Sequence, residues 1–316
     1  MKLDFENVKE ITKGSLTIKE GEDGYIRFDR FTSSQIEYFE KFSDFIYQRS
    51  LSNCSTFFEF KTTAESMSFD YSFSHVCTKD CFDVTENGLQ TGFYQMEDLG
   101  DNGNLKITFT KGEKTVRIYF PIESRVAVKN VVIDGEYFPV KEKREKVLWL
   151  GDSISQGYGT FRPSHVYSNV VSKELGFDTL NQSISGYIYD APCLEKLSFV
   201  PDKIIVALGT NHYAAADFEK RIKDYYEKLR SLYPDTPILS ITPIWRGNVI
   251  LGKEKEFATA GEKIRKYAEE KGVTVVDGFN LVPHMEVYYK DLLHPNAFGS
   301  EIYAKNLIKA IKNLNF

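Results

Sequence analysis

Two short stretches of this chain carry residue types that can do chemistry together. The first is Val147-Leu148-Trp149-Leu150-Gly151-Asp152-Ser153-Ile154-Ser155-Gln156-Gly157. Its apolar run reads as a buried strand that stops at Gly151. In an α/β sheet, ligands bind outside the carboxyl ends of the strands, so a serine at that point is presented rather than packed. Ser153 is therefore a candidate nucleophile, although a serine after a strand can equally do no more than cap the next helix.

The second stretch is Asp291-Leu292-Leu293-His294-Pro295-Asn296. Acyl transfer needs a base, an acid that orients it and a home for the oxyanion. The spacing from Asp291 to His294 lets the carboxylate fold back onto Nδ1 of the imidazole. That holds one tautomer, with Nε2 facing the serine. Pro295 helps to stop the segment from running straight into helix. For the oxyanion, the candidate donors are the backbone N–H groups of Ser153 and Gly186 and the side-chain amide of Asn211. Glycine at 186 leaves the backbone open to close approach by a substrate.

These residues need a scaffold that brings them together. Buried-strand candidates are Val147–Leu150, Thr179–Asn181, Lys203–Leu208, Ile238–Thr242 and Val273–Val276. Helical stretches fall near Val166–Leu175, Phe218–Tyr233, Glu254–Lys271 and Phe298–Leu314. Continuous apolar runs separated by helices mean a parallel sheet covered on both faces, here a flavodoxin-like doubly wound sheet. Each polar cluster follows a strand end or, for the last, precedes the final helix. All of them then fall on one edge of the sheet, near the point where strand order reverses. The fourth cluster, Thr242-Pro243-Ile244-Trp245-Arg246, places Trp245 and Arg246 at the mouth of the site.

Residues 1–143 read mainly as β. Phe58/Phe60, Phe69/Tyr71/Phe73, Ile107/Phe109 and Val116/Ile118/Phe120 alternate with polar partners at period two. Turn signals lie at Glu86-Asn87-Gly88, Asp101-Asn102-Gly103-Asn104, Lys111-Gly112-Glu113 and Asp134-Gly135. The pattern predicts an antiparallel sandwich or jelly roll. One helix interrupts it, from Ser33 to Arg49, with Ile36, Phe39, Phe42 and Ile46 at helical spacing. The charged run Lys141–Lys146 reads as a solvated connector, so residues 144–316 form the second domain.

The whole chain has 316 residues and a net charge of −5 with no basic stripe, which excludes a nucleic-acid partner. The start is acidic and lacks an apolar signal segment, and no run approaches a membrane span, so a cytoplasmic protein is expected. Cys77 and Cys81 are close in sequence, but no second pair at ligand spacing accompanies them. The cysteines Cys54, Cys77, Cys81 and Cys193 therefore read as reduced thiols, with no metal and no cofactor. No glycine-rich stretch matches a phosphate-binding loop.

The blocks Gly151-Asp152-Ser153, Gly186, Gly209-Thr210-Asn211 and Asp291-Leu292-Leu293-His294-Pro295 resemble, in that order, those of the SGNH (GDSL) hydrolase superfamily. The resemblance implies Ser153 as nucleophile, His294 as base, Asp291 as its orienter, and Gly186 and Asn211 as oxyanion donors alongside the Ser153 N–H. One departure is His212, where many relatives have Asp. The β-domain in front, and Gly151-Asp152-Ser153-Ile154-Ser155-Gln156-Gly157-Tyr158-Gly159, are similar to family 2 carbohydrate esterases, which remove acetyl groups from sugars. The implied function is hydrolysis of short-chain acyl esters of carbohydrates through an acyl-enzyme. Its substrate would be a small or oligosaccharide ester, with Tyr187, His212, Trp245 and Arg246 as candidate substrate contacts. The rivals are a general short-chain lipase or thioesterase, and a catalytically inactive carbohydrate-binding protein.

Overall fold

The alternating aromatic pattern of the first half closes into two facing antiparallel sheets. A computed structural model describes residues 1–316. The first half comprises α1 (Phe5–Ile11), β1 (Thr12–Lys13), β2 (Thr17–Glu20), β3 (Ile26–Asp29), α2 (Ser33–Phe42), α3 (Asp44–Ser50), β4 (Phe57–Thr62) and β5 (Ser66–Ser74). It continues with β6 (Cys81–Glu86), β7 (Leu89–Gln95), α4 (Met96–Leu99), β8 (Asn102–Thr108), β9 (Lys114–Tyr119), β10 (Arg125–Ile133) and β11 (Tyr137–Pro139). One sheet runs β1-β4-β9-β6-β7, with β11 beside β4, and the other runs β2-β3-β10-β5-β8. Phe58, Phe60, Phe69, Tyr71, Ile107, Val116 and Ile118 are all buried in the core between them. Each such ring or aliphatic chain contributes about 1.5–3 kcal/mol on burial.

The structure differs from the sequence pattern in four places. The helix expected over Ser33–Arg49 is broken at Ser43, whose backbone is extended (φ −170°, ψ 129°). Asp44 then opens a second helix, where its charge suits the helix N-terminus. A further helix, α1, is capped by Asp4, whose carboxylate accepts from the Asn7 N–H at 2.9 Å. The turn expected at Asp101–Asn104 falls earlier, at Gly100 (φ 71°). Asn102 to Asn104 instead pair with Ser72 to Asp70 on β5. Finally, the 141–146 run is not wholly solvated. Arg144 donates to both oxygens of the fully buried Glu59, at 2.8 and 3.1 Å.

The second half comprises β12 (Glu145–Gly151), α5 (Ser153–Gln156), α6 (Tyr167–Leu175), β13 (Phe177–Asn181), β14 (Lys203–Ala207), α7 (Phe218–Leu232), β15 (Ile238–Ile241), α8 (Glu254–Glu269), β16 (Thr274–Val276) and α9 (Ala297–Asn313). All neighbouring strands pair in parallel, in the order β13-β12-β14-β15-β16. This is the flavodoxin-like order, reversing at β12 and β14. Along β12, Val147 and Trp149 enter one core and Leu148 and Leu150 the other, so the sheet is covered on both faces.

The two halves share a core. Phe31, Phe39 and Ile46 of the first half pack in the same cluster as Leu148, Leu180 and Ile204 of the second. Arg30, 1% exposed, crosses between them. It donates to the carbonyls of Ser52 (2.7 Å), Asn181 and Ser183 (3.0 Å). The four cysteines are free thiols, and no helix is long and apolar enough to cross a membrane.

Candidate active site

Strand β12 ends at Gly151, where a side chain would collide with Ser155 and Ser183. Asp152 caps the short helix α5 by accepting from the Ile154 N–H at 3.0 Å. Ser153 is the first residue of that helix, so its own N–H has no partner within the helix. Gly157, in the left-handed region (φ 111°), ends α5. The serine does begin a helix, but Asp152 is what caps it, and the Ser153 hydroxyl is left for another partner.

That partner comes from the far end of the chain. Ser153 Oγ lies 2.8 Å from Nε2 of His294. On the other side of the ring, Nδ1 lies 2.8 Å from Oδ2 and 3.0 Å from Oδ1 of Asp291. The segment holding them is a tight loop closed by a bridge between Tyr289 and Pro295 and by the Lys290 N–H donating to the His294 carbonyl at 2.8 Å. Within the loop, Leu292 takes a positive φ of 63°, and its carbonyl accepts from the Gly247 N–H at 2.7 Å. Asp291 Oδ1 also accepts from the backbone N–H groups of Leu293 (3.2 Å) and His294 (2.9 Å).

Electrostatics follow from this packing. Burial lowers the His294 pKa from its ordinary value, outweighing the hydrogen bond and charge of Asp291, which raise it. For Asp291, burial pushes upward, but hydrogen bonds from the His294 backbone and ring win and hold its pKa low. An imidazole that is neutral near pH 7, locked in one tautomer against a hydroxyl, can act as a general base. Asp152 differs: burial raises it to about 7, against the Ile154 N–H and the charge of Arg246.

Gly186 sits in the loop after β13 with φ 81°. Its backbone N–H donates to no other main-chain group. A side chain there would meet the ring of Phe45, from α3 of the first half, at 2.7 Å. Asn211 follows β14, and its amide donates to the Tyr187 carbonyl at 2.9 Å, which leaves its second hydrogen free. Thus the loops after β12 and β14 flank the point where strand order reverses, with the loop after β13 alongside.

The remaining sequence candidates are held by other partners, Arg246 within range of the Asp152 and Asp291 charges. The Tyr187 ring is buried and its hydroxyl donates to Asp190 at 2.8 Å, while its carbonyl is what meets Asn211. His212 turns to Asp217, 2.9 Å away. Trp245 stacks on His284 (5.5 Å, 12°) and packs edge-on to Tyr289, which leaves it a structural ring. Arg246 donates to the carbonyl of Thr210 at 2.8 Å, tying the loop after β15 to the Asn211 block. Sequence reasoning missed the first-half residues Phe45 and Glu123, which no local spacing could reveal. It also missed Tyr158, whose ring meets the His294 imidazole edge-on at 4.5 Å. Tyr158 lies within the block from Gly151 to Gly159, so its place beside Ser153 in sequence is an available signal.

A sandwich joined to a doubly wound sheet, with serine, histidine and aspartate in line at the strand switch, has the geometry of a serine-hydrolase site. Residues 149–302, most of the second half, match the GDSL-like lipase/acylhydrolase family. No curated protein sequence matches the chain. Among solved structures, a salicylyl-acyltransferase, SsfX3, from a tetracycline biosynthetic pathway is 18% identical, with a TM-score of 0.78 over 96% of this chain and 94% of that one. A family two carbohydrate esterase from Cellvibrio japonicus is 14% identical, with a TM-score of 0.69 over 99% and 97% of the two chains. Another, from Clostridium thermocellum in complex with cellohexaose, is 14% identical, with a TM-score of 0.64 over 82% and 92%. These likenesses extend through both halves of the fold.

Proposed function

We propose that the protein is a serine esterase that removes short acyl groups, acetyl foremost, from carbohydrate esters. The observation that carries this reading is the 2.8 Å contact of Ser153 Oγ with His294 Nε2, backed by Asp291. Ser153 Oγ attacks the ester carbonyl while its proton passes to Nε2. Asp291 stabilises the imidazolium that forms. The oxyanion accepts from the N–H groups of Ser153 and Gly186 and from the free amide hydrogen of Asn211. His294 then protonates the leaving alcohol. Water, deprotonated by His294, attacks the acyl-serine, and the acid departs as Ser153 regains its proton. The scheme uses no cofactor.

The leaving oxygen must lie beside His294, and a cleft of about 320 Å³ lies next to the loop that carries this residue, though none of Ser153, His294, Gly186 or Asn211 lines it. Tyr158, Gly159, Lys290 and Asn296 line one side and Thr78, Lys79 and Ile122 of the sandwich the other, in the size range of small-molecule sites. Phe42 and Phe45, 39% and 51% exposed, lie near Tyr187 and Gly186; Tyr38 stacks on Phe42 and the Arg49 guanidinium lies over Phe45 at 3.6 Å, so only the opposite faces are offered to a sugar. The edge of Phe45 against Gly186 limits the room there, which favours a small acyl group. The likeness to family two carbohydrate esterases supports the same substrate class.

The test is a screen of acetylated mono- and oligosaccharides beside p-nitrophenyl esters of rising chain length. The expected result is free acetate from the sugars and activity that collapses beyond butyrate. Preference for longer acyl chains or thioesters would favour a general acylhydrolase. Sugar binding with no ester turned over would favour an inactive binding protein.

A further inference from the structure

We infer that Glu123, from the β-sandwich, is a positioning residue for the oxyanion loop of the second domain, an inference that rests on the esterase reading above. Glu123 lies between β9 and β10 and is fully buried. One carboxylate oxygen accepts the hydroxyl of Ser185, the residue immediately before Gly186. The other accepts the Thr78 hydroxyl at 3.2 Å, and the guanidinium of Arg49 lies 3.9 Å away. Ser185 is also held through its backbone. Its N–H donates to Gln156, whose amide donates in turn to Ser52 of the sandwich at 2.9 Å. Arg30 fixes the same loop further upstream through the Ser183 carbonyl at 3.0 Å.

The loop from Asn181 to Gly186 therefore takes its shape from the neighbouring domain as well as from its own. An oxyanion donor works only if it is aimed before the charge develops, so a group that fixes its direction acts on the transition state. Substrate held elsewhere in the cleft gains nothing from that contact in its ground state. Loss of the Glu123–Ser185 hydrogen bond should lower kcat and leave KM nearly unchanged.

The experiment measures kcat and KM for p-nitrophenyl acetate, with the thermal midpoint of each protein, in Glu123→Ala, Glu123→Gln, Ser185→Ala and the Glu123→Ala/Ser185→Ala pair. Each alanine variant should lose roughly 10–100-fold in kcat with KM within about twofold, a fraction of the 10²–10³ expected when a donor is removed outright. The pair should be no slower than the worse single variant, because both changes break one contact. Glu123→Gln should recover most of the rate, since its amide oxygen can still accept from Ser185. If Glu123→Ala does not fold, Ser185→Ala reads the same contact from the other side. Wild-type kcat in a folded Ser185→Ala, additive losses in the pair, or a Glu123→Gln no better than alanine would overturn the assignment. A native protein that turns over no ester would instead sink the esterase reading itself, and with it this one.

Discussion

Asp291 grips His294 twice, through the ring at Nδ1 and through the backbone N–H at 2.9 Å. The ring is thus oriented by a residue on its own loop, while burial decides its charge. The base works only when neutral, and burial sets its pKa below the ordinary imidazole value of about 6.5. As pH falls, kcat/KM should hold until below about 6.5 and then drop about tenfold per unit. Asp291 pulls that pKa upward, so Asp291→Ala should slow the enzyme and move the inflection to still lower pH. An acid limb centred at or above pH 7 would contradict this.

Asn211 is held by the Tyr187 carbonyl with one amide hydrogen to spare. If that hydrogen meets the oxyanion, Asn211→Ala should cost on the order of 10²–10³ in kcat. A rate equal to wild type in a folded variant removes Asn211 from the mechanism.

Gly186 is subject to two constraints: a positive φ of 81° and the Phe45 ring against its α-carbon. Gly186→Ala should therefore destabilise the protein by about 1–3 kcal/mol and abolish most turnover. Adding Phe45→Ala relieves the collision but not the backbone strain. Thermal melts should show partial recovery in the double variant, and no recovery would mean that the ring does not crowd this position.

Asp152 predicts a stability change with pH. Its pKa rises to about 7 in the folded protein, against about 3.9 for a free aspartate. A raised value means that the folded state binds the proton more tightly. The associated stability is complete below about 3.9 and is lost as pH rises through about 7. Asp152→Asn keeps an oxygen for the Ile154 N–H but cannot titrate. The melting temperature of wild type minus that of Asp152→Asn should therefore fall between pH 5 and pH 8, on the order of a few degrees. A constant difference across that range would rule the assignment out.

The second half of the fold was legible because buried parallel strands write themselves as unbroken apolar runs. Val147–Leu150 and Lys203–Leu208 needed no partner to be recognised, and the blocks that follow them lie at one sheet edge. Punctuation was harder. Asn102-Gly103-Asn104 looks like a turn, yet pairing with β5 overrides that preference, and Asn104 bonds to Asp70 at 2.8 Å. Ser43-Asp44 was a readable helix start inside what looked like one helix.

What lay beyond reach was the contribution of the sandwich to the site. Glu123 meets Ser185, and Arg30 meets Ser183, across 62 and 153 residues of chain. No periodicity encodes such contacts, because they depend on how two separately patterned domains dock. Trp245 reads as a mouth residue, and His212 as a substrate contact, from their places after strands. Stacking on His284 is a tertiary fact, and the pairing with Asp217, five residues on, is a local one.

The most direct test is covalent. Wild-type protein treated with a fluorophosphonate probe should carry the label on the peptide bearing Ser153, and p-nitrophenyl acetate turnover should be lost in step with labelling. Ser153→Ala should melt near the wild-type temperature, take no label and retain almost no turnover. Labelling at another residue, or undiminished hydrolysis by Ser153→Ala, would contradict the account.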